Sequence, residues 1–393
     1  MRQGHAVYDT DTHIEASAET LEEFLSPRLR QLLPERQQYW VPRRTRGYDN
    51  IREQRHSYRF ARPASSGGWG EDAPRYLGEA GPRQDARRQE SKFQGSRYPT
   101  DGGEDWDPQA RLGDMDAEGI DIALMVPGVT SGSGDREADI EFVRATHRYL
   151  DNFCGAAPAR LKSLIVANAG FVDESVAEIK RWARSRWASG VYVRLPLDYP
   201  LDHPDLHPIW QAADSEGLAI VHHSFSTGYP GYRDLWNNPF LGRAASHPWG
   251  AMRAIGSLFG AGIMDRYGGL KFVILESGFG WLPFWARRLD DQVEYMGYVA
   301  EGLQHTMTQY MTSGRFFASI VLHEGGGMVK LVSDYLSDGL LMFSTDYPHP
   351  ETRFPDSVDL LLSWPQLSAD LRRKVLWDNA VRCFGEPRGI VTE

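Results

Sequence analysis

Short runs of consecutive apolar residues, each ended by a turn signal or a polar cluster, recur along the chain, with stretches of helical spacing between them. Parallel strands covered on both faces read this way, because neither side of the strand meets water. Eight runs qualify: Ala6–Thr10, Ile120–Val126, Lys162–Ala167, Val191–Leu195, Leu218–His223, Lys271–Glu276, Arg315–Ile320 and Leu340–Ser344. Helix signals punctuate the gaps. Asp107-Pro108 reads as an N-cap with proline at the first helical position, and Asp173 precedes Val176, Ile179 and Ala183 at helical spacing. Thr20 and Glu23 predict a capping box ahead of a helix that ends before Pro34. Gly119 and Gly190 stand just before strands, where a chain leaving a helix needs a left-handed residue. Eight strand–helix units predict an α/β fold, a (β/α)8 TIM barrel.

One connection is too long for such a unit. Between the first two strands, residues 36–106 are rich in Arg, Gly, Pro and Tyr and show little periodicity. Residues 41–100 alone hold twelve Arg and one Lys against seven acidic residues, in a chain of net charge −10. A segment that follows the first strand emerges on the C-terminal face, where barrel active sites lie. The expectation is a single barrel domain over residues 1–393, with 36–106 an inserted lid or an arm onto a partner subunit; plain disorder is the open alternative. The overall charge argues against a protein that blankets nucleic acid or an acidic membrane. Only Cys154 and Cys383 occur, so neither a disulfide framework nor a cysteine metal site is indicated, and a cytoplasmic setting is expected. Met1–Tyr8 has no apolar leader and no stretch is long enough to span a membrane, which leaves a small molecule as the expected partner.

Polar clusters end several of the strands. The first leads into Asp9-Thr10-Asp11-Thr12-His13-Ile14-Glu15, the fifth ends in His222-His223, and the eighth runs into Ser344-Thr345-Asp346-Tyr347-Pro348-His349. Side chains two apart in an extended segment point the same way, so Asp11 and His13 face the barrel mouth together. Imidazole and carboxylate in one place suit a divalent first-row metal. Arg194 ends the fourth strand, where it either clamps a substrate carboxylate or pairs within the barrel. His323, Glu324 and His349 are candidates to stand behind the ligands, and Tyr229, Tyr232, Trp236 and Phe240 to wall an apolar pocket.

Longer stretches carry a resemblance: Asp107-Pro108 through Arg111-Leu112-Gly113-Asp114-Met115-Asp116-Ala117-Glu118-Gly119-Ile120-Asp121, Gly262-Ile263-Met264-Asp265-Arg266, Leu275-Glu276-Ser277-Gly278-Phe279-Gly280-Trp281-Leu282-Pro283, Arg288-Leu289-Asp290, and Ser344 to His349. In this order they resemble the amidohydrolase superfamily, and within it the branch of aminocarboxymuconate-semialdehyde decarboxylase and resorcylate decarboxylase. The resemblance implies a distorted barrel with one divalent metal, zinc first and manganese as the alternative. Its ligands fall on Asp11, His13, His223 and Asp346, with His222 the fallback for His223 and Asp346 also placed to move protons. Where the decarboxylases of that branch have a histidine after the sixth strand, this chain has Glu276. Burial is expected to disfavour its charge, which makes it an acid/base candidate with His247 as partner. Arg194, His222 and His349 complete the expected site as substrate-binding residues. The implied function is hydrolysis or non-oxidative decarboxylation of a small carboxylated cyclic or aromatic compound, through a metal-activated water or a metal-held carboxylate, in a homodimer or higher homo-oligomer. The alternative is a barrel that has lost catalysis and serves as a binding or assembly subunit.

Overall fold

The architecture was taken from a computed structural model, which describes residues 1–16, 18–36, 40–42, 58–60, 107–128, 136–195, 200–223, 239–349 and 352–385. All eight predicted strands form: β1 (Tyr8–Ile14), β2 (Ile122–Pro127), β3 (Leu161–Asn168), β4 (Ala188–Arg194), β5 (Ala219–His223), β6 (Phe272–Leu275), β7 (Phe316–Ser319) and β8 (Leu341–Met342). Each pairs in parallel with the next. The Thr10 N–H donates to the Phe343 carbonyl at 3.0 Å and Thr12 bridges Tyr347, so the last strand meets the first as in a (β/α)8 barrel.

Alternation along each strand separates two apolar layers. Ile122, Leu124 and Val126 of β2 point into the barrel with Leu164, Val166, Val221, Val273, Leu275, Phe317 and Met342, while Ala123 and Met125 face the helices. Tyr8 lies at the N-terminal end of this interior, against Trp377 and Phe384 at 6.2 and 6.0 Å between ring centroids. The polar strand ends are thereby collected at the other end. β1 starts later than its apolar run suggests and continues through Asp11 and His13, because polar side chains at a barrel mouth do not break an extended backbone. It also carries a bulge: Asp9 pairs with Ala123 but Thr12 with Met125, three residues against two. Tyr8 points inward and Asp9 outward; the extra residue reverses the parity and turns Asp11 and His13 inward.

The helix signals match the structure in part. Asp107 caps Pro108–Glu118 by accepting from the Gln109 and Ala110 N–H groups, and Gly119 ends that helix in the left-handed region at φ 85°. Asp173 lies inside the first turn of Val172–Trp182. The predicted capping box does not form: Thr20 sits within the short helix Ala18–Glu22, and a second helix, Pro27–Arg36, runs through Pro34. Ser26 Oγ accepts the Leu29 N–H there, with Pro27 at the first position. Gly190 belongs to β4 itself, where a Cβ would lie 3.0 Å from the Ala219 carbonyl oxygen, so its role is close strand approach. Of the insertion, only Arg36, at the end of the helix Pro27–Arg36, and the antiparallel pair Trp40–Pro42 and Tyr58–Phe60 are among the described residues; the expected lid or arm otherwise lies outside them. Among the described residues no helix is long and apolar enough to cross a membrane.

Candidate metal centre

Five elements converge at the C-terminal mouth. β1 contributes Asp11 and His13, β5 His223, the turn after β6 Glu276, the turn after β8 Asp346 and His349, and the helix Pro239–Gly260 His247. His13 Nε2 lies 3.0 Å from Asp346 Oδ1, 3.6 Å from Asp11 Oδ1 and 4.0 Å from Glu276 Oε2. His223 Nε2 lies 3.5 Å from Asp11 Oδ1 and 3.1 Å from Glu276 Oε2. His349 Nδ1 is 2.7 Å from Asp346 Oδ1, and its ring lies 4.0 Å from that of His13.

Two of these groups sit at unusual backbone. Glu276 has φ 45° and Asp346 φ 59°, and among the described residues only Gln3 is another non-glycine in that region. A side chain with a Cβ is disfavoured there, and such strain persists where surrounding contacts impose it. The contacts are present. The Asp346 N–H donates to the Asp11 carbonyl at 2.9 Å, the Glu276 N–H donates to Ser319 Oγ at 3.1 Å, and His247 Nδ1 lies 3.0 Å from the Glu276 carbonyl oxygen.

The donor set fits a divalent ion. Asp11 is 1% exposed, and its Oδ1 and the buried His13 Nε2 complete no hydrogen bond of good geometry. Separations of 3.5 and 3.6 Å are long for hydrogen bonds, yet ligands about 2.0–2.2 Å from one ion stand roughly 3.0–3.6 Å apart. Asp11, His13 and His223 form one compact donor group, and His13, Glu276, Asp346 and His349 an overlapping one.

The charges are strongly mutual. Burial opposes the Asp346 carboxylate, but the charge of His349 and the contact with His13 hold its pKa far below the ordinary value. Burial opposes the His223 and His349 imidazolium ions as well; Asp11 and Glu276 raise the first above its usual range, and Asp346 raises the second. Burial lifts Asp11 despite His223 and His13, and burial with the charge of His349 lowers His13. Glu276 departs from expectation. Burial and Asp346 do work against its charge, but the hydrogen bond and charge of His223, with His247, outweigh them and place its pKa below the ordinary value. The direction is opposite to the one that burial alone predicts.

The remaining candidates separate by pleat. His223 follows the inward parity of Ala219 and Val221, whereas His222 shares the outward face of Ile220, where burial and the charges of His223 and Arg253 push its pKa down to about 3. The structure thus turns His222 away from the mouth, out of reach of a substrate-binding role there. Arg194 follows the inward Tyr192, is 8% exposed, and donates from Nη1 to Tyr192 Oη at 3.2 Å. The Tyr192 ring in turn packs edge-on against His223. His323 is exposed. Tyr229, Tyr232, Trp236 and the Phe240 side chain lie outside the described residues.

The amidohydrolase family model matches residues 98–385. The chain belongs to the amidohydrolase family. It is therefore an enzyme of the superfamily its motifs resemble. Solved structures share the fold of this amidohydrolase. A 5-carboxyvanillate decarboxylase from Novosphingobium aromaticivorans, complexed with manganese and 4-hydroxy-3-methoxy-5-nitrobenzoic acid, is 18% identical, with a TM-score of 0.67 over 98% of this chain and 97% of that one. An amidohydrolase from Mycobacterium avium subsp. paratuberculosis is 16% identical, with a TM-score of 0.67 over 98% and 100% of the two chains. A 2,6-dihydroxybenzoate decarboxylase from Rhizobium is 18% identical, with a TM-score of 0.59 over 70% and 90%.

Several supports of this amidohydrolase's cluster escaped the sequence reading. Arg111 donates to the His13 carbonyl oxygen and lies 4.6 Å over the Tyr347 ring, whose hydroxyl donates to Asp114. The buried Asp9 accepts from the Thr345 N–H and hydroxyl, directly before Asp346. Arg111, Met115 and Glu118 are all buried on one helix face, and charged residues at core-facing helical positions were the available signal.

Proposed function

We propose that this amidohydrolase is a metal-dependent non-oxidative decarboxylase of a small carboxylated cyclic or aromatic compound. The observation that supports this best is a convergent carboxylate–imidazole cluster beside a buried guanidinium, Arg194, which has no carboxylate within 4.0 Å among the described residues. A buried cation without a counter-charge is unfavourable, and an anionic substrate supplies one. Solved structures of the same fold, named as decarboxylases of 5-carboxyvanillate and 2,6-dihydroxybenzoate, support the same class.

Asp11, His13, His223 and Asp346 would hold the divalent ion, zinc or manganese. When bound, such an ion supplies Lewis acidity toward the substrate carboxylate and a neighbouring oxygen. Arg194 orients the carboxylate through its planar fork, and Tyr192 ties that anchor to His223. Loss of CO2 leaves an electron pair on carbon, to which one proton must be delivered. His349 Nδ1 and Asp346 Oδ1, 2.7 Å apart at the mouth, hold a proton between them and are placed to pass it on.

The test is to reload metal-stripped protein with manganese or zinc, offer hydroxybenzoic, vanillate-type and heterocyclic acids, and measure both CO2 and hydrolysis products. Metal-dependent CO2 release is the expected result. Metal-dependent hydrolysis without CO2 would move the chain to the hydrolases, and a protein that neither binds metal nor turns over any acid would favour the binding-barrel alternative.

A further inference from the structure

We infer that Glu276 is itself a metal ligand, which makes the binding sphere one of three carboxylates and two imidazoles and favours manganese over zinc. This inference rests on the metal-site reading above and extends it to a residue outside the expected ligand set.

Geometry supports it first. Donors about 2.1 Å from one octahedral ion lie roughly 3.0 Å apart when adjacent and roughly 4.2 Å apart when opposite. Glu276 Oε2 is 3.1 Å from His223 Nε2 and 4.0 Å from His13 Nε2, an adjacent and a near-opposite separation. His13 Nε2 and Asp346 Oδ1 are adjacent at 3.0 Å, and Asp11 Oδ1 is 3.5 and 3.6 Å from the two imidazoles. Glu276 therefore stands within the donor group instead of behind it.

The second support is how the backbone delivers it. Glu276, in the turn after β6, and Asp346, in the turn after β8, share a left-handed φ, so the two carboxylates reach the cluster by one device. The Glu276 turn is pinned at its N–H by Ser319 Oγ and at its carbonyl by His247. Glu324 then accepts the Phe279 and Gly280 N–H groups at 3.1 and 2.7 Å, which anchors the rest of the loop. Strained backbone held by such contacts is typical of residues that must present a functional group in one fixed position.

The chemical consequence concerns metal choice. Five protein donors exceed the four of a tetrahedral zinc site, and an oxygen-rich set of higher coordination suits manganese.

The experiment uses the full chain, stripped of metal and titrated with Mn2+ alone and with Zn2+ alone, for the wild type, Glu276→Gln and Glu276→Ala. Metal-free circular dichroism of each variant checks that it folds. Expected are one Mn2+ per wild-type chain, a loss of Mn2+ affinity of about a hundredfold or more in both variants, a smaller loss for Zn2+, and a changed Mn2+ electron paramagnetic resonance spectrum. A loss of Mn2+ affinity of less than about a hundredfold with an unchanged spectrum is what a residue standing behind the ligands would give, and would overturn the inference. A wild type that takes up no metal would instead sink the metal-site reading itself. Should the variants not fold, a crystal of manganese-loaded wild type decides the same point, since Glu276 either touches the ion or does not.

Discussion

Replacing Glu324 by Gln should loosen the loop after β6 while conserving the volume that fills it. The two carboxylate oxygens accept from Phe279 and Gly280, one each. The fit is close: a Cβ on Gly278 would lie 2.7 Å from Oε1, and one on Gly280 2.8 Å from Oε2. Gln keeps one acceptor oxygen and presents an NH2 to the other N–H. A hydrogen bond to an ionised group contributes about 1.5–3 kcal/mol, and a buried N–H left without an acceptor costs about 1–3 kcal/mol. Burial already lifts the Glu324 pKa, against the two backbone hydrogen bonds, which reduces what its charge contributes. The low end of each range then applies, giving about 2–3 kcal/mol and, for a chain of this size, a fall in melting midpoint of about 2–4 °C. Differential scanning fluorimetry of the metal-free protein measures the midpoint, and hydrogen exchange at Phe279 and Gly280 localises the effect. A midpoint within about 1 °C of wild type with unchanged exchange would refute the claim that this carboxylate holds the loop.

Three further outcomes are expected. His147, fully buried, contacts Glu178 Oε2 through Nδ1 at 2.7 Å and accepts the Val166 N–H at Nε2. Burial lowers its pKa below 6.5, while His147 itself, with Trp182 and Arg181, outweighs burial and lowers Glu178 below 4.5. Both groups take up protons more readily unfolded, so their stabilisation is complete above the unfolded histidine value and is lost as pH falls, first through His147 and then Glu178. The denaturant midpoint should accordingly be lower near pH 5 than near pH 7.5, with a flatter dependence in His147→Gln; equal slopes would remove this pair from the acid response. His223→Ala should strip the bound metal as measured by elemental analysis, whereas His222→Ala, on the outward face, should retain it; the reverse pattern would transfer the ligand to His222. Arg194→Gln should raise KM for a carboxylated substrate by about thirtyfold or more and leave binding of an uncharged analogue alone, and equal losses for both would make Arg194 structural.

Much of the barrel was legible along the chain, because a strand buried on both faces must be apolar and its polar terminus must then mark the mouth. For that reason the eight runs, the Asp107 cap and the polar ends carrying Asp11, His13, His223 and Asp346 could be located from local composition. Contacts across the fold decided the rest. An extra residue in β1 is invisible until β2 pairs with it, yet it sets which way Asp11 and His13 point. Adjacent His222 and His223 are chemically identical on paper, and the pleat of β5 alone separates them. His247 reaches the Glu276 carbonyl from 29 residues away, and the fate of the Glu276 proton depends on how many imidazoles face it. Burial by itself argued for a neutral carboxyl; the tertiary structure places His223 and His247 against it, and at these short range separations charge outweighs desolvation.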